Sequence, residues 1–300
     1  MKLHMGKCAF EPESKYLTLQ LRESSALLGD AQALRERMAE DGFLFIRGLH
    51  DREEVLQVRR GILERMAQAG QLDPAAPLLD GAIRPDTQEA ATTSVRGHDY
   101  LKTDALKRLL YGPRVLGFFE HFLGGEPTGL QFQWLRTAGR GASSGIHYDV
   151  VYMGRGTRNL YTCWTPLGDI TPEMGPLALC LGSNRWQRVL ETYGKTDVDR
   201  DLTEGIFSKD PAELVDRFGG RWATTDFRAG DVLIQSIFIL HGSLTNLTSR
   251  FRISCDARYQ LKSEPMDERW AGSVPKGHSA FWKAGAQLEP LEVSRQKWSV

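Results

Sequence analysis

Four residues stand out for what their side chains could do together: His147, Asp149, His241 and Arg252. His147 and Asp149 are two apart in Gly145-Ile146-His147-Tyr148-Asp149-Val150-Val151-Tyr152. This apolar, aromatic and β-branched run follows a Gly/Ser-rich turn at 139–145 and reads as a strand. Residues two apart on a strand share a face, so an imidazole and a carboxylate would project side by side toward a divalent metal. The plain alternative is a strand-end histidine bonded to its neighbour. His241 ends the apolar run 232–240 and precedes Gly242-Ser243, which places it at a sheet rim. Taken alone, it would serve equally well as a rim histidine bonded to backbone. Two histidines and one carboxylate have the composition of a facial triad, which leaves three positions open on Fe(II) for a co-substrate and dioxygen. Zinc is satisfied by the same three groups plus water, so the ligands alone leave the metal undecided.

Arg252, eleven residues beyond His241, sits in Phe251-Arg252-Ile253-Ser254-Cys255. Strand alternation points it away from Phe251 and Ile253 and makes one face of an apolar strand polar. A guanidinium turned inward needs an anion, and its fork favours a carboxylate. Ser243, two residues past His241, can add a hydroxyl to the same anion. The alternatives are an internal salt bridge for Arg252, or Arg250 or Arg258 as the functional arginine.

The elements around these residues come from pattern. Residues 31–39 are helical in spacing, stopped by Asp41-Gly42, and 43–46 form a buried strand. Asp51 with Glu54 begins a second helix whose stripe is Val55, Val58, Ile62 and Met66. A short helix at 103–110 and another opened by Pro113 and closed by Gly124-Gly125 follow. A short edge strand is expected within 16–21. From about residue 128, short apolar segments alternate with turn signals at 129–136, 146–153, 159–167, 177–181, 231–239 and 251–261. Short strands after a helical half suggest an antiparallel sandwich or barrel buttressed by helices. Residues 71–105 and 185–225 read as a long loop and an insertion, the first a candidate lid carrying Arg96 and His98. Trp270, Trp282 and Trp298 are expected to pack the tail 263–300 on the domain.

Composition narrows the classes. Lys+Arg and Asp+Glu both total 38 and the pI is near 7.1, so no bulk field points to nucleic acid or an anionic membrane. Cys8, Cys163, Cys180 and Cys255 form no CxxC pair, so reduced thiols are expected rather than a disulfide framework or zinc ribbon. The N-terminus lacks the apolar core of a signal peptide, and the longest apolar run is too short to span a bilayer. The expectation is a cytoplasmic protein acting on a small-molecule substrate, monomer or homodimer, without nucleic-acid or membrane partners.

Residues 40–50 (EDGFLFIRGLH) and the block 132–259 resemble the phytanoyl-CoA dioxygenase (PhyH) family of Fe(II)/2-oxoglutarate oxygenases. The matching motifs are His147-Tyr148-Asp149, Cys163-Trp164-Thr165-Pro166-Leu167, Thr171-Pro172-Glu173-Met174-Gly175-Pro176-Leu177 and Leu181-Gly182-Ser183-Asn184. Gly230-Asp231-Val232 leading to His241-Gly242-Ser243, then Arg252, complete the order. Leu181-Gly182-Ser183-Asn184 stands where such proteins often have Pro-Gly-Ser-His. The resemblance implies a mainly β fold with flanking helices, a double-stranded β-helix (jelly-roll, cupin-like) core. One domain over 1–300 is expected: a helical part at about 28–125, the core at about 128–262, and the tail. It also implies His147, Asp149 and His241 as iron ligands. Arg252, with Ser243 and Trp164, would bind 2-oxoglutarate. Dioxygen and 2-oxoglutarate would be consumed, succinate and carbon dioxide released, and a substrate C–H bond hydroxylated. The carboxylate at 149 argues against halogenation, in which a small residue takes its place. Two further classes were weighed: a jelly-roll zinc hydrolase or isomerase with a structural Arg252, and a non-catalytic binding module. The intact ligand set and Arg252 favour the oxygenase.

Overall fold

The computed structural model describes residues 2–85, 102–278 and 285–299; Arg96, His98 and Trp282 lie outside the described residues. The first half carries β1 (Leu3–Met5), β2 (Cys8–Phe10), β3 (Leu17–Thr18), α1 (Ala31–Asp41), β4 (Phe43–Ile46), α2 (Arg52–Gln68), α3 (Asp104–Tyr111) and α4 (Pro113–Leu123). Asp30, Asp51 and Thr103 accept first-turn N–H groups of α1, α2 and α3, caps worth about 1 kcal/mol each. Gly42 ends α1 at φ 79°, a left-handed conformation that a side chain would resist, and lets the chain reverse directly into β4. Val55, Ile62 and Leu63 of α2 and Phe119 and Phe122 of α4 share one buried cluster. Burying each such side chain is worth roughly 1.5–3 kcal/mol, so packing outweighs helix propensity here.

The second half contains β5 (Pro127–Gly129), β6 (Trp134–Ala138), α5 (Val150–Met153), β7 (Tyr161–Pro166), β8 (Leu177–Leu181), α6 (Gln187–Glu191), α7 (Val198–Asp201), α8 (Pro211–Asp216), β9 (Arg221–Ala223), β10 (Val232–Ser236), β11 (His241–Ser243), β12 (Arg252–Leu261) and α9 (Leu291–Trp298). The larger sheet runs β4-β10-β7-β12-β5, with β6 also pairing β12, and the smaller runs β11-β8-β9-β3. Phe43, Phe45, Trp164 and Leu233 of the larger sheet meet Leu177, Leu179 and Ala223 of the smaller in a shared core. The other face of the larger sheet (Leu44, Ile46, Cys163, Ile234, Ile253, Cys255, Ala257, Tyr259) packs in the cluster that holds the helices. This is the expected jelly roll buttressed by helices, and β3 and β4, which precede residue 128, are built into its sheets.

Three expectations are corrected. The run 145–152 is not a strand: Ile146 and His147 make single bridges, to Ser208 and His241, and Val150–Met153 is helical. The β-branched pair Val150-Val151 favours extension, but burial of Val150, Val151 and Met153 in a second cluster overrides that preference. His241 does not close β10. That strand stops at Ser236, and His241 opens β11 in the opposite sheet, paired with Leu179. Ile237, Ile239 and Leu240 are apolar because the crossing between sheets passes through the core. The segment 129–136 is split between β5 and β6, both paired to β12. The insertion at 185–225 holds α6, α7 and α8 and contributes β9 to the smaller sheet.

Candidate active site

The bridge between His147 and His241 is the structural origin of the site. His147 N–H donates to His241 O at 3.0 Å and His241 N–H to His147 O at 3.1 Å. The rings are thereby brought to 4.3 Å between centroids. Each Nδ1 lies beside the carbonyl two residues back, Gly145 O at 2.9 Å and Ile239 O at 3.0 Å. Those acceptors assign the proton to Nδ1 in both rings and leave both Nε2 lone pairs free for a metal. Both Nε2 atoms face Asp149 Oδ1, at 3.6 and 3.7 Å. All three donor atoms lie within 4.8 Å of one another, a spacing that donors about 2.0–2.2 Å from one ion can adopt.

The protonation states suit a cation. Burial, reinforced by the His147 imidazole, pushes His241 down to about 4 against the pull of Asp149, so the ring is neutral. Burial alone would raise Asp149, but Arg258 and the two imidazoles outweigh it and hold the carboxyl well below the usual range. The second oxygen of Asp149 is occupied: Thr162 Oγ1 donates to Oδ2 at 2.5 Å and Arg258 Nη2 at 3.4 Å.

Strand β12 supplies the wall behind the ligands. Its alternate residues Arg252, Ser254, Asp256 and Arg258 are all buried, on the face opposite the residues that pack on the helices. Arg136 grips Asp256 Oδ2 through Nε at 2.9 Å and Nη2 at 2.8 Å. Among the described residues Arg252 has no such partner. Its Nη1 donates to Ser254 Oγ at 2.7 Å, and its Nε is unbonded among the described residues although the residue is only 2% exposed. Burial and the neighbouring Arg136 lower its pKa to about 10, so it stays charged at neutral pH. Both amide atoms of buried Gln235 are also unbonded among the described residues. His147, His241, Gln235, Trp164, Ser243 and Arg252 line one cavity. It offers metal donors, an unsatisfied guanidinium and an unsatisfied amide, which is the chemistry of a site for iron and a dicarboxylate.

The sequence-expected residues therefore converge. Ser243 reaches the cavity, where its Oγ accepts from Ser144 N and its own N–H donates to Ser144 Oγ, both at 2.8 Å. Trp164 packs edge-on to Phe227 at 4.8 Å. Arg250 lies apart, exposed and 3.5 Å from Asp80. Thr162, Gln235 and Ser254 are the residues that sequence reasoning missed as site members, and Arg258, weighed there only as an alternative to Arg252, joins the site beside Asp149. Thr162 and Gln235 are register partners on β7 and β10, each a polar residue within a mainly apolar strand, and that intrusion was the available signal. His278, assigned nothing from sequence, holds Asp199 Oδ2 at 2.9 Å.

Comparison with known proteins accords with this geometry. Residues 38–254 match the family described as phytanoyl-CoA dioxygenase (PhyH). A 1-deoxypentalenic acid 11-beta-hydroxylase of Streptomyces exfoliatus is 29% identical over 257 residues, covering 80% of this chain and 85% of the relative. Its counterpart in Streptomyces arenae is 26% identical over 254 residues with the same shares. Among solved structures, EctD from S. alaskensis has a TM-score of 0.57 at 20% identity, covering 91% of this chain and 92% of its own. SnoN, a non-heme alpha ketoglutarate dependent epimerase from nogalamycin biosynthesis, has a TM-score of 0.53 at 18% identity, covering 87% and 96%. These structural likenesses carry the jelly-roll fold. With a family match across most of its length and the His-Asp-His donors assembled, the chain belongs to the phytanoyl-CoA dioxygenase (PhyH) family and is a 2-oxoglutarate-dependent non-haem iron oxygenase.

Proposed function

We propose that the enzyme hydroxylates an unactivated C–H bond of a small, largely apolar organic acid, with His147, Asp149 and His241 holding the iron and Arg252 binding the distal carboxylate of 2-oxoglutarate. The buried Arg252 guanidinium, its Nε unbonded among the described residues, in the same cavity as the two histidine donors carries this reading. A zinc hydrolase or a passive binding module would leave that charge without a purpose. Iron held by His147, Asp149 and His241 would supply the oxidising chemistry, with 2-oxoglutarate and dioxygen as the co-substrates. The protein's own residues do the rest. Arg252, fixed by Ser254, anchors one carboxylate by charge-assisted hydrogen bonds. Ser243, Trp164 and Gln235 line the space between that anchor and the metal donors and orient the co-substrate's chain. The relatives' own substrate, 1-deoxypentalenic acid, supports the substrate class.

We further propose a single-domain, cytoplasmic protein working as monomer or homodimer without nucleic-acid or membrane partners; among the described residues no helix is long and apolar enough to cross a membrane. The test is anaerobic addition of Fe(II) and then 2-oxoglutarate. A weak visible charge-transfer band is expected in the wild type and is lost in Arg252→Ala and His241→Ala. Absence of the band in folded, iron-loaded wild type would overturn the assignment. Succinate release over a panel of apolar acids and their methyl esters then tests the substrate class.

A further inference from the structure

We propose that Thr162 and Arg258 are positioning residues that hold Asp149 to a single metal-facing oxygen and so keep three positions on the iron open. The inference rests on the iron-site reading above and deepens it. A carboxylate can offer one oxygen or two. If Asp149 chelated through both, four positions would be filled by protein, and the two remaining would be taken by 2-oxoglutarate alone. No place would be left for dioxygen.

The structure opposes that collapse from two sides. Oδ1 faces both imidazole Nε2 atoms, whereas Oδ2 takes the Thr162 hydroxyl at 2.5 Å and Arg258 Nη2 at 3.4 Å. Thr162 is 2% exposed, and Asp149 is the hydroxyl's hydrogen-bond partner among the described residues. Arg258 cannot easily swing away. Its guanidinium carbon lies 3.8 Å from the centroid of the Trp134 ring, and Asp256 Oδ2 is 3.8 Å from Nη2. Asp149 itself sits at the N-cap position of α5 without using its side chain to cap the helix, so both oxygens are available for this division of labour. Thr162 and Arg258 come from adjacent paired strands, where Thr162 is the register partner of Arg258. One cross-strand pair thus secures one oxygen.

The test compares wild type, Thr162→Val, Thr162→Ser and Arg258→Met, anaerobically loaded with Fe(II). Three quantities are read: Fe(II) affinity, 2-oxoglutarate affinity from the charge-transfer band, and the electron paramagnetic resonance signal of the nitric oxide adduct, nitric oxide standing in for dioxygen. Thr162→Val removes the donor at nearly constant shape. It should retain Fe(II) binding yet weaken 2-oxoglutarate on the order of 10- to 100-fold, or lose the nitric oxide adduct of the ternary complex. Thr162→Ser restores the hydroxyl and should match wild type. Arg258→Met keeps a stem against Trp134 and should shift the same readouts in the same direction by a smaller factor. If Thr162→Val does not fold, Arg258→Met alone decides. A folded Thr162→Val, or in its place Arg258→Met, with wild-type co-substrate affinity and a wild-type nitric oxide signal would overturn the proposal, leaving these residues as mere neutralisers of a buried charge. Failure of the wild type to give the band would instead remove the iron reading beneath it.

Discussion

Two buried arginines in this molecule have opposite surroundings. Arg269, 4% exposed, is saturated: Asp267 takes Nε at 2.9 Å and Nη2 at 2.6 Å, Asp199 takes Nη1 at 2.9 Å, and Asp197 lies 3.5 Å away. Arg252, 2% exposed, has one serine hydroxyl and, among the described residues, no carboxylate within ion-pair reach, and its neighbour Arg136 repels it. A buried charge left short of partners costs several kcal/mol unless something else completes it. The first arginine is therefore a fastener, joining the segment after β12 to α7. The second has the surroundings expected of the proposed carboxylate anchor.

Removing each arginine should break that contrast in different currencies. Arg269→Leu takes the shared cation from Asp267 and Asp199 and should cost about 3–5 kcal/mol of stability, seen as a large drop in Tm. The 2-oxoglutarate KM of the surviving folded fraction should move less than about twofold, because no site contact is touched. Arg252→Leu should raise the 2-oxoglutarate Kd about 100-fold, the loss of roughly 2–3 kcal/mol of charge-assisted bonding. The apo-protein's Tm should hold or rise, since a desolvated charge has gone. Equal Tm losses in both variants would collapse the distinction.

A smaller effect is expected with pH. Burial brings His241 and His50 each down to about 4 from 6.5. Their folded values lie below the unfolded ones, so the unfolded chain binds more protons in that window. Apo-protein stability is then fully present above about pH 6.5 and lost as pH falls toward about 4. His241→Gln should flatten the slope of Tm against pH, and an unchanged slope would contradict the assignment. The smallest effect is Ser254→Ala, which removes the support of Arg252 and should weaken 2-oxoglutarate by about 1 kcal/mol, a several-fold change in Kd.

Much of this was legible before any coordinates. The helices were marked by their caps, stops and stripes: Asp51, Pro113 and the glycines at 42 and 124. The donors His147, Asp149 and His241, which the fold brings together, and buried Arg252 were picked out by residue type and order. The local geometry around them was not. The sequence 145–152 has strand propensity, yet Asp149 is placed by a helical turn whose stability comes from distant core residues. The run 232–240 looks like one strand because a crossing through the core must be as apolar as a strand in it. In β12 the alternation of Arg252, Ser254, Asp256 and Arg258 resembles a solvent-facing edge. Only tertiary closure turns that polar face inward, so Thr162, Ser254 and Arg258 could not be ranked from their own neighbourhoods.

The bridge between His147 and His241 has a consequence for the life of the enzyme. Backbone hydrogen bonds already join the two histidines, and backbone carbonyls already fix their tautomers. The fold itself thus bears the entropy of bringing together two segments some ninety residues apart. Metal capture is then docking into a finished seat, unlike small zinc modules that fold only around their ion. Such a protein can lose iron and recover it without unfolding. Its working fraction is then expected to follow the supply of iron rather than the persistence of the chain.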